Sequence, residues 1–221
     1  GDFLESVWCS KPDSKSDRDI VVLFHGLAGG VDSAYIKRVM KKLQDDGKSS
    51  VLMHFRGCGK SPNLLARSYH SGESGDAREW ISYLKTNYPN SDLSAIGYSL
   101  GGNMLLKLLG EYGENSPLKS AVAVSVPLDL AICANEINRG ISKIYQKHLL
   151  KALKRDLKRK YDQHDMQKLI GKSRSDIDEI SSFWEFDDIY TAPIHGFDDA
   201  KDYYKRCSAK QFLKDIKTKT L

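Results

Sequence analysis

Apolar residues along this chain fall into two kinds of run. The segments Ile20-Val21-Val22-Leu23-Phe24, Ser50-Val51-Leu52-Met53-His54-Phe55, Leu93-Ser94-Ala95-Ile96-Gly97 and Ala121-Val122-Ala123-Val124-Ser125-Val126 are short and mostly apolar. Such runs suit strands buried on both faces of a sheet. Between them, apolar positions recur every three or four residues. Ala34, Ile36, Val39, Met40 and Leu43 share one helical face, with Asp32 or Ser33 as the cap and Gly47 as the stop. Ala77, Trp80, Ile81 and Leu84 do the same between Ser74 and Tyr88, and Pro89-Asn90 ends that helix. Leu100 to Tyr112 reads as a strongly apolar helix. The order β-α-β-α-β-α-β over the first 126 residues predicts a mostly parallel sheet with helices on both faces, an α/β class.

The pattern changes after Val126. From Cys133 to about Ala200 the chain is charged and helical where it is periodic. Ile141, Ile144, Tyr145, Leu149, Ala152, Leu153, Leu157 and Tyr161 form an apolar stripe, opposite a basic face of Lys143, Lys147, Lys151, Lys154, Arg155 and Lys158. No run rich in Val, Ile and Leu follows Val126, and only Thr218-Lys219-Thr220-Leu221 could begin a strand. The expected organisation is a core over residues 1–132, a helical cap or lid over 133–200 and a return to the core over 201–221. The sheet reads as unfinished, with further core strands expected beyond Leu221.

Composition narrows the class. Hydrophobic residues make up 40% and charged residues 29% of 221, ordinary for a globular chain. No apolar run approaches the ~20 residues of a membrane-spanning helix. Gly1-Asp2-Phe3-Leu4-Glu5 is too acidic for a signal peptide and, lacking an initiator Met, leaves an upstream segment open. Cys9, Cys58, Cys133 and Cys207 are scattered, without metal-ligand spacing. They read as free thiols of a reducing compartment, so a cytoplasmic protein is expected. A net charge of +5 is too modest to indicate nucleic acid. Gly59-Lys60-Ser61 imitates the end of a phosphate-binding loop, but His54 stands where the first glycine belongs and Pro62 where a helix should start. Nucleotide binding is therefore not expected.

One motif carries chemistry. Gly97-Tyr98-Ser99-Leu100-Gly101 matches G-x-S-x-G, a weak pattern alone. Its context strengthens it, because a buried strand enters and an apolar helix leaves, as a nucleophile elbow requires. In such an elbow the serine, here Ser99, occupies a strained bend that lifts its hydroxyl clear of the sheet. Side chains at 97 and 101 would collide, so glycine is needed at both. The helix beginning at Leu100 aims its free N–H groups and positive dipole end at the same spot. A second donor is expected from the loop after the strand ending in His25-Gly26, so the backbone N–H groups of Leu27 and Leu100 are the candidate oxyanion hole. No metal or cofactor is implied.

The chain resembles the YheT-like branch of the α/β-hydrolases, a bacterial group similar to abhydrolase-domain lipid hydrolases and to yeast medium-chain ethyl-ester synthase/esterases. Phe24-His25-Gly26-Leu27, Phe55-Arg56-Gly57-Cys58, Ser68-Tyr69-His70-Ser71-Gly72-Glu73 and Gly97 to Asn103 carry the resemblance. In the second half, Phe186-Asp187-Asp188, Ile194-His195-Gly196-Phe197 and Asp202-Tyr203-Tyr204 do so. It implies an α/β-hydrolase fold and Ser-Asp-His chemistry on acyl or lipid-like esters. Only the nucleophile and oxyanion positions map onto this chain; the acid and base are expected beyond Leu221.

Three functions remain open at this stage: a carboxylic-ester hydrolase, an acyltransferase to alcohols through the same acyl-enzyme, or an inactive binding protein on a hydrolase fold. Asp187 or Asp188 with His195 would satisfy the triad order, but they fall in the cap, where a structural role is expected. His70 is expected as a hydrogen-bonded packing residue. Arg56 and Glu73 are expected in structural ion pairs or hydrogen bonds. The basic run Lys151 to Lys160 is expected as a solvated face, with contact at a membrane surface as the sharper reading.

Overall fold

The computed structural model describes residues Gly1–Leu221. Its elements are β1 (Ser6–Cys9), β2 (Ile20–Phe24), α1 (Ala34–Asp45), β3 (Ser49–Met53), α2 (Ser74–Asn87), β4 (Leu93–Tyr98), α3 (Leu100–Tyr112) and β5 (Leu118–Val124). After these come α4 (Leu130–Glu136), α5 (Ser142–Lys160), α6 (Met166–Ile170), α7 (Phe183–Phe186), a π-helical turn (Asp187–Thr191), α8 (Ala192–His195), α9 (Ala200–Cys207) and β6 (Lys219–Thr220). The strands form one sheet in the order β1-β3-β2-β4-β5-β6. Only β1 runs antiparallel.

The continuous apolar strands sit at the centre because both of their faces are covered. All five residues of β2 are buried. Ile20, Val22 and Phe24 pack with leucines of α2 and α3 on one face. Val21 and Leu23 pack with Ile36 and Met40 of α1 on the other. Parallel strands need a crossover, and the three amphipathic helices supply it. β6 is short, but Leu221 extends the pairing: its N–H donates to Ala121 O and its carbonyl accepts from Ala123 N. No helix is long and apolar enough to cross a membrane. The four cysteines are unpaired.

The structure adds to or corrects the sequence reading at four places. The sheet has an edge strand, β1, that the apolar pattern did not signal; it is four residues long and at most half-buried. The strand expected at Ala121–Val126 starts at Leu118 and ends at Val124, because Ser125 adopts a φ of 52°. Arg56 is structural, but its partners are Asp76, in a two-pronged pair, and Asp2, rather than Glu73. Burial alone would raise the Asp2 carboxyl, yet hydrogen bonds from Asn63, Arg56 and two backbone amides hold it below the usual carboxylate range. The basic run is not wholly solvated: Lys160 is only 5% exposed. Its ammonium donates to Leu65 O and to the side chain and carbonyl of Asn63.

Residues between β5 and β6 build their own small cores. Leu150 and Leu157 of α5 meet Met166, Ile177, Ile180, Phe186 and Tyr190. Leu130 and Ala134 of α4 meet Tyr203, Tyr204 and Cys207 of α9. The apolar stripe of α5 is buried only in part, since Ile141 is 87% and Ile144 73% exposed.

Candidate active site

Ser99 occupies a sharp bend between β4 and α3. Its φ of 50° and ψ of −117° are costly for a residue with a Cβ. Two bonds hold the bend: Ser99 N–H donates to Val124 O at 2.8 Å, and Ser99 O accepts from Asn103 N at 3.0 Å. The flanking glycines are needed for space. A Cβ on Gly97 would lie 2.6 Å from Gly101 O, and one on Gly101 would lie 2.5 Å from His25 O. The second contact shows how closely the start of α3 approaches the end of β2. A Cβ on Gly26 would stand 3.4 Å from Ser99 Cβ, so the loop after β2 lies directly beside the bend.

That loop is pinned at several points. Phe55 N–H donates to His25 Nε2 at 3.2 Å, so the imidazole proton sits on Nδ1, which donates to Gly26 O at 2.7 Å. Gly29 N–H donates to the same oxygen at 3.0 Å. A peptide N–H points opposite its carbonyl. Fixing Gly26 O therefore fixes the direction of the Leu27 N–H. The Leu27 N–H takes no partner among the loop and side-chain hydrogen bonds, and Leu100 is the first helical residue, whose N–H has no intrahelical acceptor. Ser99 and Leu27 both line two cavities, one of about 560 Å³ and one of about 380 Å³. The larger also takes in Leu100, Leu130, Leu153, Phe186 and Tyr204. Its walls come from both the sheet end and the helices between β5 and β6. A serine hydroxyl on a sharp bend, candidate amide donors and a largely apolar cavity meet at one point, an arrangement suited to acyl transfer.

Burial pushes the His25 pKa down to about 4, the neighbouring His54 adding to the effect. Protonation would also cost the bond from Phe55 N–H. An unfolded histidine takes up its proton near pH 6.5, so His25 lowers stability as pH falls from about 6.5 to about 4, by roughly 3 kcal/mol in all. His54, His70 and His195 are also displaced downward, chiefly by burial. We expect chemical denaturation to show steep acid destabilisation over that window, reduced in His25→Asn.

Two histidines outside the loop after β2, His70 and His195, lie against each other. His195 Nδ1 faces Thr191 O at 2.9 Å and Nε2 faces Ser68 O at 3.3 Å. The Asp187 carboxylate accepts from Thr191 Oγ1 and Tyr204 OH, not from His195. Burial raises its pKa to about 6. The Asp188 carboxylate accepts from Ala200 N. Asp187, Asp188 and His195 are thus not joined as a relay. His70 packs edge-on to His195, with ring centroids 4.7 Å apart, and its Nδ1 accepts from Gly72 N. Glu73 lies 3.6 Å from both Arg67 and His70. His70, Glu73 and His195 bring donor atoms within 4.8 Å of one another, yet the set suits a metal poorly. Gly72 N–H forces the His70 proton onto Nε2, the nitrogen facing Glu73, and both His195 nitrogens face carbonyls. Nothing in the sequence pattern gives Tyr35, Tyr69 or His148 a role, although Tyr69 falls in a motif that carries the resemblance. Tyr35 and His148 share the smaller cavity with Ser99, and Tyr69 lines the larger. Only folding brings them there.

Residues 19–221 match the family model described as alpha/beta hydrolase fold. The chain belongs to the α/β-hydrolase fold family. It is similar to YheT of Escherichia coli (strain K12), whose name marks it as an esterase, with 39% identity over the whole chain and 64% of that protein. Medium-chain fatty acid ethyl ester synthase/esterase 2 of Saccharomyces cerevisiae is 28% identical over 93% of the chain and 50% of its own length. The chain thus spans under two thirds of these relatives. Among solved structures, the Pyrococcus furiosus esterase Pf2001 overlays on 98% of the chain and 63% of its own, with a TM-score of 0.56 and 18% identity. That likeness bears on the fold.

Proposed function

We propose that the protein is a serine esterase acting on acyl esters with an apolar chain. The Ser99 hydroxyl attacks the ester carbonyl and passes its proton to a base. The developing oxyanion is held by the N–H groups of Leu27 and Leu100. The tetrahedral species collapses, the ester C–O bond breaks, and the alcohol leaves with the proton. Water then repeats the sequence on the acyl-enzyme and releases the acid. Losing one oxyanion donor costs about 3–4 kcal/mol in the transition state. The observation that carries this reading is the positive-φ bend of Ser99 at the start of α3, beside the loop of Leu27 and open to both cavities. The esterase names of the relatives agree with it.

Asp187, Asp188 and His195 are not assigned as acid and base, because they are committed to other partners. Residues 133–200 act as the cap and supply the acyl wall of the larger cavity. A fluorophosphonate probe on the full-length protein tests the reading. Labelling at Ser99 is expected, and a folded protein that stays unlabelled would overturn it. Adding ethanol to the assay separates hydrolysis from alcohol transfer by the ethyl ester formed.

The cap also offers a membrane-facing surface. Ile141, Ile144 and Tyr145 are exposed, beside Lys143, Lys147 and Lys151 in the sequence. Apolar anchors within a basic field suit an anionic bilayer. Sedimentation with phosphatidylglycerol vesicles, but not with phosphatidylcholine vesicles, is expected, and Ile144→Glu should weaken it severalfold. Equal binding to both, or to neither, would remove the membrane contact.

A further inference from the structure

The loop that presents Leu27 is intrinsically soft. It carries Gly26, Gly29 and Gly30, and Ala28 sits at a φ of 53°, where only glycine is at ease. His25 and Gly29 hold the Gly26 carbonyl, but a segment this soft keeps that peptide in one direction only if the peptides on either side are tied as well. Two tyrosine hydroxyls reach it from elsewhere in the chain. Gly26 N–H donates to Tyr35 OH at 2.9 Å, and Ala28 N–H donates to Tyr69 OH at 2.8 Å. The bonds fall on the amides immediately before and after Leu27. The amide between them is left without a partner within the loop.

Both rings are themselves held. Tyr69 stacks on Phe55 at 5.2 Å with an 11° tilt and meets His25 edge-on. Tyr35, in the first turn of α1, packs on Tyr98, the residue before Ser99, at 4.7 Å. Tyr35 therefore ties the loop to the elbow, while Tyr69 ties it to the segment after β3. We propose that Tyr35 and Tyr69 are positioning residues for the oxyanion. By occupying the neighbouring amides they aim the Leu27 N–H at the place where charge develops on the substrate carbonyl. The proposal rests on the reading of Ser99 and Leu27 given above. Neither tyrosine touches the reacting atoms. Each sets the direction of a dipole that must be in place before the reaction, because reorganising it later would raise the barrier.

Tyr35→Phe and Tyr69→Phe in the full-length protein test this, since each deletes one oxygen and keeps the ring. With p-nitrophenyl butyrate, kcat should fall about tenfold in each while KM stays within about twofold. The affinity for a trifluoromethyl ketone, which forms a tetrahedral adduct on the serine, should weaken by the same factor as kcat. A merely structural role would lower the melting temperature without moving that pair together. Folded variants with wild-type kcat and wild-type inhibitor affinity overturn the proposal. Should Tyr69→Phe fail to fold, Tyr35→Phe, on a residue 37% exposed, carries the test. Amide hydrogen exchange separates this proposal from the reading it rests on. Loss of protection at Ala28 in Tyr69→Phe, or at Gly26 in Tyr35→Phe, is expected. Unchanged protection there overturns the bracket even in an active enzyme. An inactive, unlabelled wild type with both amides protected overturns the role of Ser99 instead, and with it the purpose of the bracket.

Discussion

Replacing Ser99 by alanine should lower ester turnover about a millionfold and abolish fluorophosphonate labelling, because in the proposed mechanism the hydroxyl forms the covalent bond. The same position makes a second, opposite prediction about stability. A residue with a Cβ pays for φ 50° and ψ −117°, whereas glycine accepts that backbone nearly freely. Ser99→Gly should be as inactive as Ser99→Ala yet more stable than wild type by about 1 kcal/mol, a rise of about 2–4 °C in a chain of this size. Thermal melts of the two variants check it. A glycine variant that melts no higher than wild type would show the bend to be unstrained.

Arg56→Ala should be the most destabilising single change outside the core. The Arg56 side chain is 11% exposed, and those of Asp76 and Asp2 are 8% and 2% exposed. Removing the guanidinium strands two buried carboxylates, which costs about 3–5 kcal/mol. Lysine should recover only part of this, since it cannot reproduce the two-pronged bond to Asp76. The pH dependence has a definite sign. The Asp2 carboxyl lies below its ordinary range in the fold, so its contribution is present above about pH 4 and fades as pH falls through the lower folded value. Urea titrations at neutral and acidic pH should therefore show the gap between wild type and Arg56→Ala narrowing toward low pH. A gap that stays constant would mean that Asp2 is not stabilised by its charge.

Much of this molecule is legible before folding. β2 announces itself because a strand buried on both faces carries one unbroken apolar run, β3 and β4 because theirs are short and mostly apolar, α1 and α2 because one stripe meets the sheet, and α3 because it is apolar almost all round. The elbow is legible for a related reason. Gly97 and Gly101 stand where a Cβ would strike backbone at 2.6 Å or less, a constraint local enough to leave a pattern five residues long. What is not legible depends on partners far away in the chain. β1 is too short to stand out, since Val7, Trp8 and Cys9 make only a three-residue apolar run, and as an edge strand it is defined by what it pairs with. Lys160 looks solvated within its basic run, yet Asn63, 97 positions earlier, supplies it with a buried acceptor.

The sequence by itself determined the alternating α/β core, the serine on its bend and the loop after β2, since steric crowding and apolar periodicity act between near neighbours. Tertiary structure alone decided which carboxylates answer Arg56, that His195 faces backbone carbonyls rather than Asp187, and that two tyrosines bracket Leu27. Those outcomes rest on hydrogen bonds whose donor and acceptor are set by the packing of separate elements, and no local pattern encodes such a meeting.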